Sequence, residues 1–301
     1  MRKILLASTA LVALTSVSAM AADVTISGST AFTYTNDDKN DVSTASTATS
    51  ASDFGVESDI AISFSMTADN GMTATMVYGM DDADGAADDA SATLGGDFGE
   101  IKIVNGGLDP NYVQGMDETY DKAGEGSASN VNLGGVTGDS IGYKFPSVVD
   151  GLTIAVQTAN ESDSESFGYG VQYDAGVVKA TIAKITNSSE EHTSTSLTAS
   201  VAGFALAVEQ NKKEVVEGTT DEDEMTAYGL SYALDGAVTL AYEAGSTKDE
   251  DGSTQADYSQ FAVSYAIAPG IKAVLTSSEV DDQTTADDDV ESMDIQLQLS
   301  F

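Results

Sequence analysis

The chain ends on Val290–Phe301, "VESMDIQLQLSF". Met293, Ile295, Leu297, Leu299 and Phe301 are large and apolar, and Asp294, Gln296, Gln298 and Ser300 alternate with them. A period of two is the mark of a strand with two unlike faces. The same alternation recurs upstream. "DIAISFSM" sets Ile60, Ile62, Phe64 and Met66 against Ala61, Ser63 and Ser65. "GLTIAVQTA" sets Leu152, Ile154 and Val156 against Thr153, Ala155 and Gln157, and "QFAVSYAI" sets Phe261, Val263, Tyr265 and Ile267 against small partners. The pattern predicts sixteen strands, over 23–35, 54–67, 72–80, 89–95, 99–105, 139–146, 152–160, 165–174, 177–186, 191–202, 203–210, 224–234, 236–245, 255–268, 270–278 and 289–301.

The connections fall into two sets. One is tight and carries the Gly and Asp that hairpins need, as in "ADNG" (68–71), "VVDG" (148–151), "AG" (202–203) and "APG" (268–270). The other is long and polar, at 36–53, 81–88, 106–138, 161–164, 187–190, 211–223, 246–254 and 279–288. Tight turns at one end and long loops at the other fit a transmembrane barrel with short periplasmic turns and long extracellular loops. An even strand number lets "DVTISGSTAFTYT" pair with the last strand, which leaves no open edge in lipid. The predicted fold is therefore all-β: a transmembrane antiparallel up-and-down β-barrel of sixteen strands.

Composition narrows the function. The first 21 residues, "MRKILLASTALVALTSVSAMA", have Arg2 and Lys3, a short apolar core and Ala19-Met20-Ala21, the plan of a cleavable secretory signal peptide. Its removal would leave a barrel domain over 22–301 and, with two positive charges gone, move the net charge from -37 to -39. The chain has no Cys and one His, which supplies neither thiolate sites nor a multi-His zinc centre. So acidic a surface is a poor match for nucleic acid, whose phosphates need Lys and Arg.

The polar face is too small and hydrophilic for lipid, so the apolar stripe must point outward. Phe32, Tyr34, Phe64, Tyr78, Tyr143, Phe145, Phe167, Tyr169, Tyr173, Phe204, Tyr228, Tyr232, Tyr242 and Phe261 fall on that face, many near strand ends where aromatic girdles meet headgroups. Sixteen strands enclose a channel rather than a packed core. Water and small hydrophilic solutes would move through it down their gradients.

The run from the signal peptide into "ADVTISGSTAF", the "SIGYKFPSVVDGLTIAVQ" hairpin and the terminal Phe301 together resemble general bacterial porins of the sixteen-stranded type, closest in style to those of alphaproteobacteria. The resemblance spans the chain after the signal peptide. It implies a homotrimer in the outer membrane, among lipids and lipopolysaccharide, and a third extracellular loop folded into the pore. It also implies that Phe301 is read by the barrel-assembly machinery during insertion.

The third long connection, 106–138, has 33 residues (106 through 138), a length at which loops are usually functional. If it folds inward as the resemblance implies, Asp109, Asp117, Glu118, Asp121 and Glu125 are the constriction carboxylates. Otherwise it is a solvated acidic flap. Strand parity puts Glu57, Asp59, Glu100, Lys102, Lys144, Lys179, Glu209, Glu243, Lys272 and Asp294 on the pore wall. Lys102 and Lys144 either form a basic patch opposite the loop or pair with Glu100 or neighbouring acids. Lys184 falls on the outer face and is expected to snorkel to headgroups. The family often uses arginines on the wall; here the only Arg is Arg2. With acids in such excess, cations should concentrate in the channel and anions be repelled.

The acidic stretches at 81–89, 220–224, 248–252 and 280–289 leave Ca²⁺ binding open, although none has the EF-hand spacing. His192 reads as an ordinary mouth residue. No cofactor is implied. A lone His without a nucleophile motif argues against an enzyme. The competing class is a non-conducting structural or adhesive barrel, which would pass no current.

Overall fold

The computed structural model describes residues 23–40, 49–81, 89–105, 112–113, 139–161, 164–215, 222–234, 236–248, 254–282 and 289–301. Sixteen strands occur among them. They are β1 (Asp23–Asn40), β2 (Thr49–Thr67), β3 (Thr73–Asp81), β4 (Asp89–Gly96), β5 (Gly99–Asn105), β6 (Ser140–Lys144), β7 (Leu152–Glu161) and β8 (Ser164–Asp174), followed by β9 (Val178–Thr186), β10 (Glu190–Val201), β11 (Phe204–Val215), β12 (Glu222–Leu234), β13 (Val238–Lys248), β14 (Thr254–Ala268), β15 (Ile271–Asp282) and β16 (Asp289–Ser300). Each pairs antiparallel with its chain neighbours, and β1 pairs with β16, so the sheet closes.

Every predicted strand is present. Several run further than the alternation does: β1 reaches Asn40, β2 begins at Thr49, and β11 reaches Val215. All of these extensions lie at the long-loop rim. Above the lipid both faces meet water, so side-chain alternation stops while the ladder of backbone hydrogen bonds goes on. Not all connections at this rim are long. β9 and β10 are joined by a tight turn in which the Asn187 side-chain oxygen accepts from the backbone N–H groups of Ser189 (2.8 Å) and Glu190 (2.7 Å). β7 and β8 stay paired up to Glu161 and Ser164.

The opposite rim has seven short turns, each with one glycine at positive φ, from Gly71 in the first to Gly270 in the last. The turn between β10 and β11 goes further, with Ala202 at φ 51° beside Gly203 at 84°. Two successive positive φ values match the right-handed twist of a two-residue hairpin. Ala202 adopts a conformation that a Cβ disfavours.

The two faces separate as the sequence predicts. Phe32, Phe167, Tyr169, Tyr173, Phe204, Tyr228, Tyr242 and Phe261 are exposed on the outside. Directly opposed rings pack there: Phe204 stacks on Tyr232 with centroids 4.3 Å apart, and Tyr34 lies tilted against Phe54 at 5.0 Å, each pair in register across neighbouring strands. The residues between them turn inward and are mostly small or polar, with a few buried apolar side chains such as Ile185, Met225 and Val274 among them. A wide barrel with a polar interior and an apolar exterior can be solvated only by lipid outside and water inside.

Candidate functional site: pore wall and loop anchor

The inner face of β6–β9 is built from very small residues. Gly142, Ala155, Gly168 and Ala183 point inward from four successive strands and leave a shallow recess. Tyr112 and Val113, the described residues of the third long connection, sit in it. They form an apolar cluster with Ala155, Ala159, Ala183 and Ile185. A Cβ on Gly142 would lie 2.7 Å from the Tyr112 ring, so the glycine is what admits the aromatic. The Val113 backbone N–H donates to the Gln157 side-chain oxygen at 3.0 Å.

Polar contacts complete the anchor. The Tyr112 hydroxyl donates to the Glu100 carboxylate. Lys144 Nζ lies 3.4 Å from the same carboxylate and 4.5 Å from the Tyr112 ring centroid, an ion pair joined to a cation–π contact. Burial, and then the hydrogen bond to Glu100, hold the Tyr112 phenol protonated well above its usual range. Of the two roles open to Lys144, pairing with Glu100 is the one observed.

All ten wall charges expected from strand parity sit on the inner face, in three different environments. Glu100 and Lys144 belong to the anchor; Lys102 and Lys179 stand on the same side, on β5 and β9. Glu209 and Glu243 point inward but are screened from the lumen, at 0% and 2% exposure, and Asn211 donates to Glu209 at 2.6 Å. Glu57, Asp59 and Lys272 are open, and Asp294 is half-buried. Asp109, Asp117, Glu118, Asp121 and Glu125, the carboxylates expected at the constriction, lie outside the described residues, as do residues 1–21.

Burial changes around the wall. At mid-height Gln157, Thr181, Ser194, Glu209, Glu243, Gln260 and Thr276 are all buried. Along one rung, Thr276 on β15 pairs with Asp294 on β16, Asp294 with Thr35 on β1, and Thr35 with Asp53 on β2. Exposure rises along it, from buried Thr276 through half-buried Asp294 and Thr35 to exposed Asp53. The inner wall is therefore most open along β1 and β2, away from the anchor on β5–β9, and the charges exposed there are mostly acidic.

Two residues near the β9–β10 turn have charged partners. Lys184 is on the outer face, as parity predicts, and forms an ion pair with Glu191, which the tight turn brings near it. His192 is buried, with its Nε2 3.1 Å from Glu190, which Lys213 also approaches at 3.0 Å. The acidic stretches considered for Ca²⁺ lie largely outside the described residues, and no group of three or more metal-ligating side chains occurs among those described. Tyr112, Gly142 and Gln157 escaped the sequence reading. Their one signal was "YV", an aromatic–apolar pair in a polar loop.

The family model for Gram-negative porins matches residues 7–285. The chain belongs to the Gram-negative porin family. That membership makes it a channel for passive diffusion in the outer membrane. The porin fold is shared with solved structures of very different sequence. The anion-selective porin from Comamonas acidovorans superposes with a TM-score of 0.73 at 13% identity, over 93% of this chain and 100% of that one. Salmonella typhi OmpF, solved with daunomycin, gives 0.71 at 14%, over 92% and 97%. OmpT, an outer membrane protein of Vibrio cholerae in its trimer form, gives 0.71 at 10%, over 93% and 100%. Among curated protein sequences, none matches the chain.

Proposed function

We propose that this porin is a cation-selective channel for small hydrophilic solutes. The observation that carries the proposal is the sorting of wall charges. Lys144 is compensated by Glu100, while Glu57, Asp59 and Asp53 face the open side. Among the described residues Lys272 is the one open cation near them, so carboxylates are in excess there, and a water-filled passage with such an excess raises the local concentration of cations and repels anions. The chain after residue 21 has no Arg to reverse that field. The anion-selective porin of Comamonas acidovorans shares the fold, and fold does not set the sign of the field.

The working form in this proposal is a homotrimer of the chain from residue 22 onward, with residues 1–21 removed on export. The trimer form of the Vibrio cholerae protein supports that assembly. Residues 106–138 narrow the passage from their anchor at Tyr112, and Asp109, Asp117, Glu118, Asp121 and Glu125 add acid to it. Outside, lipids and lipopolysaccharide contact the apolar belt, and Phe301 serves the barrel-assembly machinery as its recognition residue. Purified protein in a planar bilayer tests these points together. Current steps in groups of three are the expected outcome; a folded protein that carries no current would instead support a structural or adhesive barrel.

A further inference from the structure

The short-turn mouth holds a cavity of about 780 Å³, within the range of small-molecule sites. Its lining includes Ser29, Ala31, Glu57, Asp59, Lys272 and Gln298. Here a cation and two carboxylates share one open space. Their placement follows from the ladder: Lys272 on β15 pairs with Gln298 on β16, Gln298 with Ala31 on β1, and Ala31 with Glu57 on β2. The four residues form one rung on the inner face, with Lys272 at one end and Glu57 at the other. Asp59 is next along β2 on the same face, and its carboxylate accepts from Ser29 at 3.2 Å.

The rung sets a charge separation. Three strand steps of about 4.8 Å put the backbones of Lys272 and Glu57 about 14 Å apart. Both side chains project into the cavity and close part of that distance. Between them lie only Gln298 and Ala31, one a hydrogen-bonding amide and the other a methyl group. Gln298 is tied through its amide nitrogen to Gln296 at 2.9 Å, which leaves its carbonyl oxygen available as an acceptor. A solute with a carboxylate at one end and an ammonium at the other spans such a gap: an extended dipeptide measures about 7 Å at about 3.5 Å per residue.

We propose that this mouth is a weak binding subsite for short zwitterionic solutes of the dipeptide class. The solute carboxylate meets Lys272, and its ammonium meets Glu57 and Asp59. The proposal rests on the channel reading above and extends it to a solute class. Opposed charges of this kind orient a dipolar solute along one wall and hold it briefly, and a through-channel needs binding weak enough to release.

Current block by glycyl-glycine tests this. Added at millimolar concentration from the short-turn side, it should reduce the K⁺ current of the full chain in a planar bilayer. Neutral N-acetylglycinamide, similar in size, should not. Lys272→Gln and the pair Glu57→Gln with Asp59→Asn should each raise the half-blocking concentration at least threefold. At pH 9.5 the dipeptide has lost its ammonium charge and should block less, since an α-amino group titrates near 8. Equal block by the neutral compound, or unchanged block in both variants, would overturn the proposal. Reversal potential measured on the same membranes keeps the two readings apart: cation preference without dipeptide block removes the subsite alone, and dipeptide block with anion preference removes the selectivity alone.

Discussion

The ring of Phe301 occupies the space that a side chain at residue 28 would need: a Cβ on Gly28 would fall 2.6 Å from its Cζ. The two residues also exchange backbone hydrogen bonds, Phe301 N–H to Gly28 O at 3.0 Å and Gly28 N–H to Phe301 O at 3.2 Å. The last residue of the chain is thus fitted into the first strand where the barrel closes. Gly28→Ala should destabilise the folded barrel by about 1–3 kcal/mol, the usual cost of forcing a methyl group into filled space. Phe301→Ala should also destabilise it. The double variant should lose less than the sum, because each change alone disrupts the same fit. Urea unfolding of the four proteins in detergent or lipid measures the coupling.

The loop anchor gives a second prediction. Tyr112→Phe keeps the ring and removes the hydrogen bond to Glu100, a loss of about 1.5–3 kcal/mol for a bond to a charged group. Gly142→Leu fills the recess that holds the ring. Both should free the loop and raise open-channel current noise, Gly142→Leu more strongly.

The Tyr112 phenol also predicts how the anchor responds to pH. Its pKa is raised in the folded state, so its stabilisation is fully present below the ordinary phenol value of about 10 and is lost only as pH climbs through the folded value. Wild-type channel noise from this anchor should stay flat between about pH 6 and 9. A rise in noise near pH 7 would show that another group holds the loop.

At the turn after β10, Ala202 pays a steric penalty that Asn tolerates better, since Asn adopts positive φ more readily. Ala202→Asn should stabilise the barrel by up to about 1 kcal/mol, the lower end of the left-handed penalty. Gly203→Ala, at φ 84°, should destabilise it by a similar amount. Thermal unfolding followed by gel mobility reads both.

On the outer face near the long-loop rim, Asp257 stands opposite Asp281, and Glu279 opposite Glu291. Like charges directly across a ladder repel. Glu279→Gln should therefore stabilise the barrel by about 0.2–1 kcal/mol, and the gain should shrink in high salt. Unfolding midpoints at two salt concentrations make the comparison.

The strands were legible because lipid outside and water inside impose a period of two on every crossing residue. "VESMDIQLQLSF" shows it fully: Met293 and Ile295 are exposed outside, while Asp294 and Gln296 turn inward. Strand ends were less legible, since β1 and β2 rise past the lipid where both faces are wet. Parity also placed every wall charge on its face. It could not tell open Glu57 from buried Glu209, because burial inside the barrel depends on what lies across the lumen. Nor could it join Tyr112 to Gly142, a contact between a loop and a strand 30 residues away (142 minus 112).

Reversal potential across a KCl gradient reads the sign of the wall's selectivity. A potential of the sign set by K⁺ moving down its gradient is expected. It should diminish in Glu57→Gln with Asp59→Asn and shrink as total salt rises and screens the wall. A potential of the opposite sign in the wild-type protein, set by Cl⁻, would contradict cation selectivity.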